Sequence, residues 1–188
     1  MKRLSVVFIM FIVLVGCTTT LPPKIEISKS YSLLGVKSYS LTLNSNGVNL
    51  DPSFSAAFLA SYCQALDGNI RLALQRESPE FQYAGAGSDL NIEVSLEALQ
   101  GGNAAARFWV GFGAGRSVSS VYVRVLKKQE ILSEGRITET TTLPNFATNN
   151  FSNEDAIMQD APLLARSIAT FIKDPVKYEN GFKPNPKQ

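Results

Sequence analysis

Leu90-Asn91-Ile92-Glu93-Val94-Ser95-Leu96-Glu97-Ala98 decides the fold. Apolar and polar side chains alternate without a break, which is the two-residue period of a strand with one buried and one wet face. A sheet built on such a strand is covered on one side only. Working outward, Ser117 to Lys127 reads as a second strand, with Val121, Val123 and Val125 on one face and Tyr122, Arg124 and Leu126 on the other. Lys127-Lys128-Gln129-Glu130 is a hairpin turn, and Ile131 to Thr141 returns as a third strand. Upstream, Leu33 to Leu43 alternates Tyr39, Leu41 and Leu43 with Ser38, Ser40 and Thr42, a further half-buried strand. Asn44 to Asp51 holds turn residues, and so does Gly85-Ala86-Gly87-Ser88.

Two segments change period. From Phe54 to Leu74, the residues Phe54, Ala57, Phe58, Ser61, Tyr62, Ala65, Leu66, Ile70, Ala73 and Leu74 recur at steps of three and four. That spacing places them on one helical stripe. Asp51 is the expected N-cap and Pro52 the first helical residue, where its missing N–H costs nothing. Gly68 lies inside this helix at a cost of about 1 kcal/mol relative to alanine, so packing support is expected there. After a polar loop from Leu143, Ser152-Asn153-Glu154-Asp155 resembles a helix start. The carboxylates Glu154, Asp155 and Asp160 read as helix-start charges. Ile157, Ala161, Leu164, Ala165, Ile168 and Ile172 form the second stripe, with Pro162 expected to kink the helix or begin its main segment. The order β-α-β-β-β-α predicts an α+β fold in two layers. A mostly antiparallel sheet of about four strands carries two helices on its apolar face.

The chain has 188 residues, 45% of them hydrophobic, enough for one normal core. It contains no histidine. Ser-His-Asp and Cys-His catalysis in their usual forms are thereby excluded, and the commonest metal ligand is missing. No Ser-x-x-Lys, Gly-x-Ser-x-Gly or Walker-type Gly-Lys-Ser/Thr motif occurs, and no EF-hand spacing, so neither a cofactor nor a metal is expected. Glu93 and Glu97 lie on the wet face of the clear strand, where an ion pair across the sheet to Arg124 is the expected use. Cys63, in the first helix, reads as a buried free thiol.

The amino-terminal segment carries an address. Met1-Lys2-Arg3 is basic, and Leu4 to Gly16 is an almost unbroken apolar run, shorter than the roughly 20 residues of a membrane-spanning helix. A basic start, a short apolar stretch and small residues at the end describe a secretory signal. The ending Leu14-Val15-Gly16-Cys17 resembles the lipobox of bacterial lipoproteins. That resemblance implies cleavage between Gly16 and Cys17, a diacylglyceryl group on the Cys17 thiol, and anchoring to a bilayer through acyl chains. By the same resemblance, threonine rather than aspartate at 18 implies the outer membrane, with the domain facing the periplasm. Lys2 and Arg3 leave with the leader, so the remaining 16 basic side chains balance 16 acidic ones. No basic excess points to nucleic acid. The expected organisation is a signal peptide at 1–16, a lipidated N-terminus and Pro-containing tether at 17–32, one domain at 33–173 and a loose tail at 174–188.

One further stretch stands out. Arg107, Phe108 and Trp109 precede Gly111, Phe112, Gly113, Ala114 and Gly115, and Arg116 follows. A Rossmann spacing would need glycine at 116, and a strand follows where a helix should, so this is weak as a nucleotide signature. Three readings stand. The glycines permit close backbone approach while the aromatics cover an open end of the core. Alternatively, the loop docks on an envelope protein partner or a lipid interface with Trp109 as anchor. In the third, successive N–H groups hold a small anion or phosphate.

The same stretch, Ala106-Arg107-Phe108 then Gly111-Phe112-Gly113-Ala114-Gly115 and an alternating strand, resembles the signature of an uncharacterised bacterial lipoprotein family, domain of unknown function 4410. Leu99-Gln100-Gly101-Gly102 stands where members of that family often carry an Asp-Pro-Gly-like turn. The resemblance implies an envelope lipoprotein of small α/β type. With it the expected function is non-enzymatic: a membrane-anchored accessory factor that binds a protein in envelope assembly, secretion or stress response. The alternative is a periplasmic protein binding a small anion through the glycine-rich segment.

Overall fold

The computed structural model describes residues 24–27, 33, 35–102, 116–141 and 152–175. Its elements are β1 (Lys24–Ile27), β2 (Ser38–Asn44), β3 (Asn49–Leu50), α1 (Ala56–Glu77), β4 (Gln82–Tyr83), β5 (Leu90–Gln100), β6 (Ser117–Lys127), β7 (Glu130–Thr141) and α2 (Asn153–Lys173). The strands form one sheet in the order β1-β7-β6-β5-β2-β4, with β3 also beside β5. The chain is therefore α+β, with two helices and a mixed sheet.

The expected frame of two helices on one sheet is present, and the sheet is larger than the four strands expected and mixed. Seven strands are present among the described residues. β5, β6 and β7 form an antiparallel meander, and β1 pairs antiparallel with β7. However, β2, β3 and β4 all enter in parallel, β2 running beside β5 from Tyr39–Leu90 to Asn44–Ser95. The cause is α1. A helix of 22 residues is about 33 Å long and carries the chain back to the end of the sheet where β2 began, so β5 starts in the same direction. β1 lies within residues expected to form a tether, so the sheet begins at Lys24 and not near Leu33.

The inward faces carry the core. Leu90, Ile92, Val94 and Leu96 of β5 are buried with Val121, Val123 and Val125 of β6 and Ile137 of β7. A bulge at Glu97 then shifts the register, so that Leu99 takes the next inward position, opposite Ser119. α1 buries Phe58, Tyr62, Leu66, Ile70 and Leu74 in one row, and α2 buries a broader stripe that includes Ile157, Leu164, Ile168 and Phe171. All of them join one core cluster with the sheet. Each fully buried Leu, Ile or Phe there contributes about 1.5–3 kcal/mol. The turn Lys128-Gln129 has φ of 49° and 72°, the left-handed pair that lets a two-residue hairpin follow the sheet twist.

Three local expectations also change. α1 is capped by Ser55, whose side chain accepts from the Phe58 N–H at 3.0 Å, while Asp51 forms a separate turn with Ser53. Gly68 is exposed with nothing within 4 Å of an added Cβ, so no packing supports it. α2 runs through Pro162, which sits on the exposed side of the helix, where the Met158 carbonyl it leaves without a helical donor costs least. The helix start read at Ser152 to Asp155 is present, with the Ser152 side chain accepting from the Asp155 N–H as its cap.

Candidate functional site

Of the residues singled out in the sequence, Gly16, Cys17, Arg107, Phe108, Trp109, Gly111, Phe112, Gly113 and Gly115 lie outside the described residues; Arg116 is described, half-buried at the entry to β6. The structure does describe the base from which the glycine-rich segment departs and to which it returns. Because β5 and β6 are antiparallel neighbours, Gln100 pairs with Val118, so the segment leaves and re-enters at the same end of the sheet.

The departing end is clamped by Asp51. Its N–H donates to the Leu99 carbonyl at 2.9 Å, and its carboxylate accepts from the Gly101 N–H at 3.0 Å. The same carboxylate takes the Ser53 hydroxyl at 2.7 Å and the Ser53 N–H at 2.9 Å. These bonds hold its pKa below the ordinary carboxylate value, the Ser53 hydroxyl contributing most. Next to this clamp, Gly101 presses on the first turn of α2: a Cβ built there would stand 2.4 Å from the Cβ of Asn153 and 2.9 Å from the ring of Phe54. Gly102 follows at φ 70°, a left-handed turn that suits glycine. At the returning end, the Ser117 hydroxyl donates to Asp160 of α2 at 2.6 Å. Both ends thus meet one helix, at Asn153 and Asp160, about 10 Å apart along its axis.

Below this base lies a buried polar cluster that the sequence reading missed. Asp160, expected among the helix-start charges, is fully buried; it stands on the inward stripe between Ile157 and Leu164. Glu139 of β7 is 5% exposed and accepts a bond from the Ser167 hydroxyl of α2. Burial pushes the Glu139 carboxyl up to about 7, the Asp160 charge adds to the rise, and the Ser167 bond opposes it. The hydroxyls of Tyr62 and Ser119 are buried side by side, yet neither completes a hydrogen bond of good geometry among the described residues. Burial also raises the Tyr62 pKa, with smaller contributions from Asp160 and Glu139. A sequence signal did exist, because Asp160 falls at the apolar spacing of α2 and Glu139 follows Ile137 by two on an inward face.

The wet face of the sheet is laced with ion pairs. Arg124 reaches Glu93 at 2.5 Å, as expected from the sequence, whereas Glu97 is held by two bonds from Arg136, at 2.5 and 2.8 Å. Arg136 holds the Glu97 pKa below its ordinary value. Cys63 is partly buried against the core, and burial raises its thiol pKa, away from the reactive thiolate. A cavity of about 300 Å³ opens at the far end of both helices, between Leu33, Val36, Phe81, Glu80 and Lys173. Among the described residues, no three His, Cys, Asp or Glu side chains converge as metal ligands would.

A mixed sheet with two helices on its apolar face, and a glycine-rich connection footed on the second helix, define a small α+β module. The family model of a domain of unknown function, DUF4410, matches residues 39–167, and the chain belongs to that family. Comparison with curated proteins gives no match. Among solved structures, the PelC dodecamer from Paraburkholderia phytofirmans is similar at 10% identity and a TM-score of 0.48, over 81% of this chain and 98% of that one. A DUF330 protein from Xanthomonas campestris is similar at 10% identity and a TM-score of 0.47, over 80% and 92%. A DUF4136 family protein from Bacteroides thetaiotaomicron reaches a TM-score of 0.30 at 10% identity, over 79% and 97%.

Proposed function

We propose that this chain is a lipid-anchored, non-enzymatic binding protein of the bacterial envelope. In this reading its domain stands off the outer membrane into the periplasm and engages a protein partner in envelope assembly, secretion or stress response. The observation that carries the reading is Leu14-Val15-Gly16-Cys17 at the end of a short apolar run. Acyl chains on Cys17 contribute about 0.8 kcal/mol for each buried CH₂, so two or three of them hold the protein on a bilayer essentially permanently. The first strand, β1, begins at Lys24, only seven residues after Cys17. Seven residues span at most about 25 Å, so the sheet edge stays close to the lipid headgroups. The binding role rests on the aromatic and glycine segment around Trp109, whose two ends are footed on α2.

The test is Cys17→Ser. Labelling with a clickable fatty acid should be lost, and the protein should leave the outer-membrane fraction. Unchanged fractionation of the variant, or a native amino terminus without lipid by mass spectrometry, would overturn the anchor. A photoreactive residue at position 109 should yield cross-linked envelope protein in intact cells. Absence of products at that position, with products from control surface positions, would overturn the docking role.

A further inference from the structure

We propose that Glu139 and Asp160, buried together between β7 and α2, form a proton-sensitive clamp that seats α2 on the sheet while Glu139 is neutral and loosens it when Glu139 ionises. The geometry is reciprocal. A hydroxyl of the helix, Ser167, donates to the carboxyl of the strand, and a hydroxyl of the strand β6, Ser117, donates to the carboxyl of the helix. These two bonds cross the seam between α2 and the sheet in opposite senses, with Ile157, Ala161, Leu164 and Ile168 filling the seam around them. A buried carboxylate costs several kcal/mol to desolvate, and a second charge close by raises that cost. Ionisation of Glu139 in this buried seam, close to the Asp160 charge, therefore works against the packing of the helix.

Among the described residues, the groups that face Glu139 can be named element by element. α1 presents Tyr62, α2 presents Asp160 and the Ser167 hydroxyl, and β6 presents Ser119 directly opposite in register. On β7 itself, Arg136 lies on the opposite face with Glu97, and Glu134 is in register with Arg124 on that same side. β1 sets Lys24 and Glu26 in register with Thr138 and Arg136, the alternate positions of β7. Burial is the largest cause of the raised Glu139 pKa, so breaking the seam returns the carboxyl toward its ordinary value. The sign follows. The open form holds fewer protons than the closed form between those two values, so opening grows as pH rises through them and levels off above about 7.

Amide hydrogen exchange of the purified full chain tests this. With Glu139 at about 7 closed and 4.5 open, protection of the amides from Leu164 to Ile172 should fall about 30-fold between pH 5.5 and 8.5, after correction for intrinsic rates. That protection should also lie at least about tenfold below that of Ile92 to Leu96 in β5, because α2 opens without the central strand. In Glu139→Gln, which is neutral at both pH values, the fall should disappear. Protection of α2 that ignores pH, that matches β5 throughout, or that still falls in Glu139→Gln would overturn the clamp. If Glu139→Gln does not fold, carbon-13 carboxyl spectra of the wild-type chain decide: a Glu139 midpoint near 7 supports the clamp, and one below 5 overturns it.

Discussion

Gly101→Ala should destabilise the domain by filling space that is already occupied. The backbone there is not in the left-handed region, so alanine meets no conformational penalty, and the effect is one of packing alone. The new methyl would lie 2.4 Å from the Cβ of Asn153, 2.7 Å from its Cγ and 2.9 Å from Cζ of Phe54. Ordinary contact between carbons needs about 3.5–4.0 Å, so the first turn of α2 must retreat by roughly 1 Å. Overpacking of this kind costs about 1–3 kcal/mol. A value of about 2 kcal/mol corresponds to a Tm lower by about 8 °C for a domain of this size. The assay is a double-mutant cycle in urea. Asn153→Gly removes two of the three contacts, so Gly101→Ala should cost at least about 1 kcal/mol less in that background. Phe54 keeps the relief incomplete. If Gly101→Ala falls within about 0.5 kcal/mol of the parent, or if the two substitutions add independently, then the first turn of α2 does not bear on the exit from β5. The claim that both ends of the glycine-rich segment stand on one helix would fall with it.

Gly68→Ala should raise stability by about 0.5–1 kcal/mol, since an added methyl meets open space on an exposed helical face, and urea unfolding reads it directly. Ser55→Ala should cost about 1 kcal/mol by leaving the Phe58 N–H without its cap, whereas Asp51→Ala should leave α1 helicity unchanged by circular dichroism. Arg136→Ala should change stability by no more than about 1 kcal/mol despite its two bonds to Glu97, because the pair is well exposed; a loss above 2 kcal/mol would mean that the open sheet face is covered in solution. Urea stability of the parent should fall by about 2–3 kcal/mol from pH 5 to pH 8 as Glu139 titrates, and that fall should vanish in Glu139→Gln.

The longer elements were legible in the sequence, and so was the β6–β7 hairpin, whereas the parallel pairings were not. The strict alternation from Leu90 to Ala98 found β5, and the valines at 121, 123 and 125 found the inward face of β6. Periodicity says which side of a strand is buried; it is silent on which strand lies beside it. The parallel entry of β2 was nonetheless implied by the helix that separates it from β5, since a crossover of that length cannot close a hairpin. β3 and β4 have two residues each, too few to show a period. Asp51 and Ser55 are both good cap residues, and Pro52 favoured the earlier one; the Gly101 N–H and the Leu99 carbonyl, 48 to 50 positions away, claimed Asp51 instead. The buried acids escaped notice for a physical reason as well. A charged residue on an apolar stripe is ordinarily assigned to the surface; the opposing hydroxyls of Ser117 and Ser167 help make burial of these acids tolerable.

The mixed sheet also sets the order in which the chain can assemble. β6 and β7 meet across a two-residue turn, while Ser40 reaches Leu90 only after 50 residues have been gathered in. Closing the longer loop costs about 3 kcal/mol more entropy, at roughly 0.6 kcal/mol for each doubling of length. The carboxy-terminal meander is thus the natural nucleus, and the amino-terminal strand docks last. A chain synthesised from its amino terminus makes β1, β2 and α1 early and must keep them waiting for the strands that complete them.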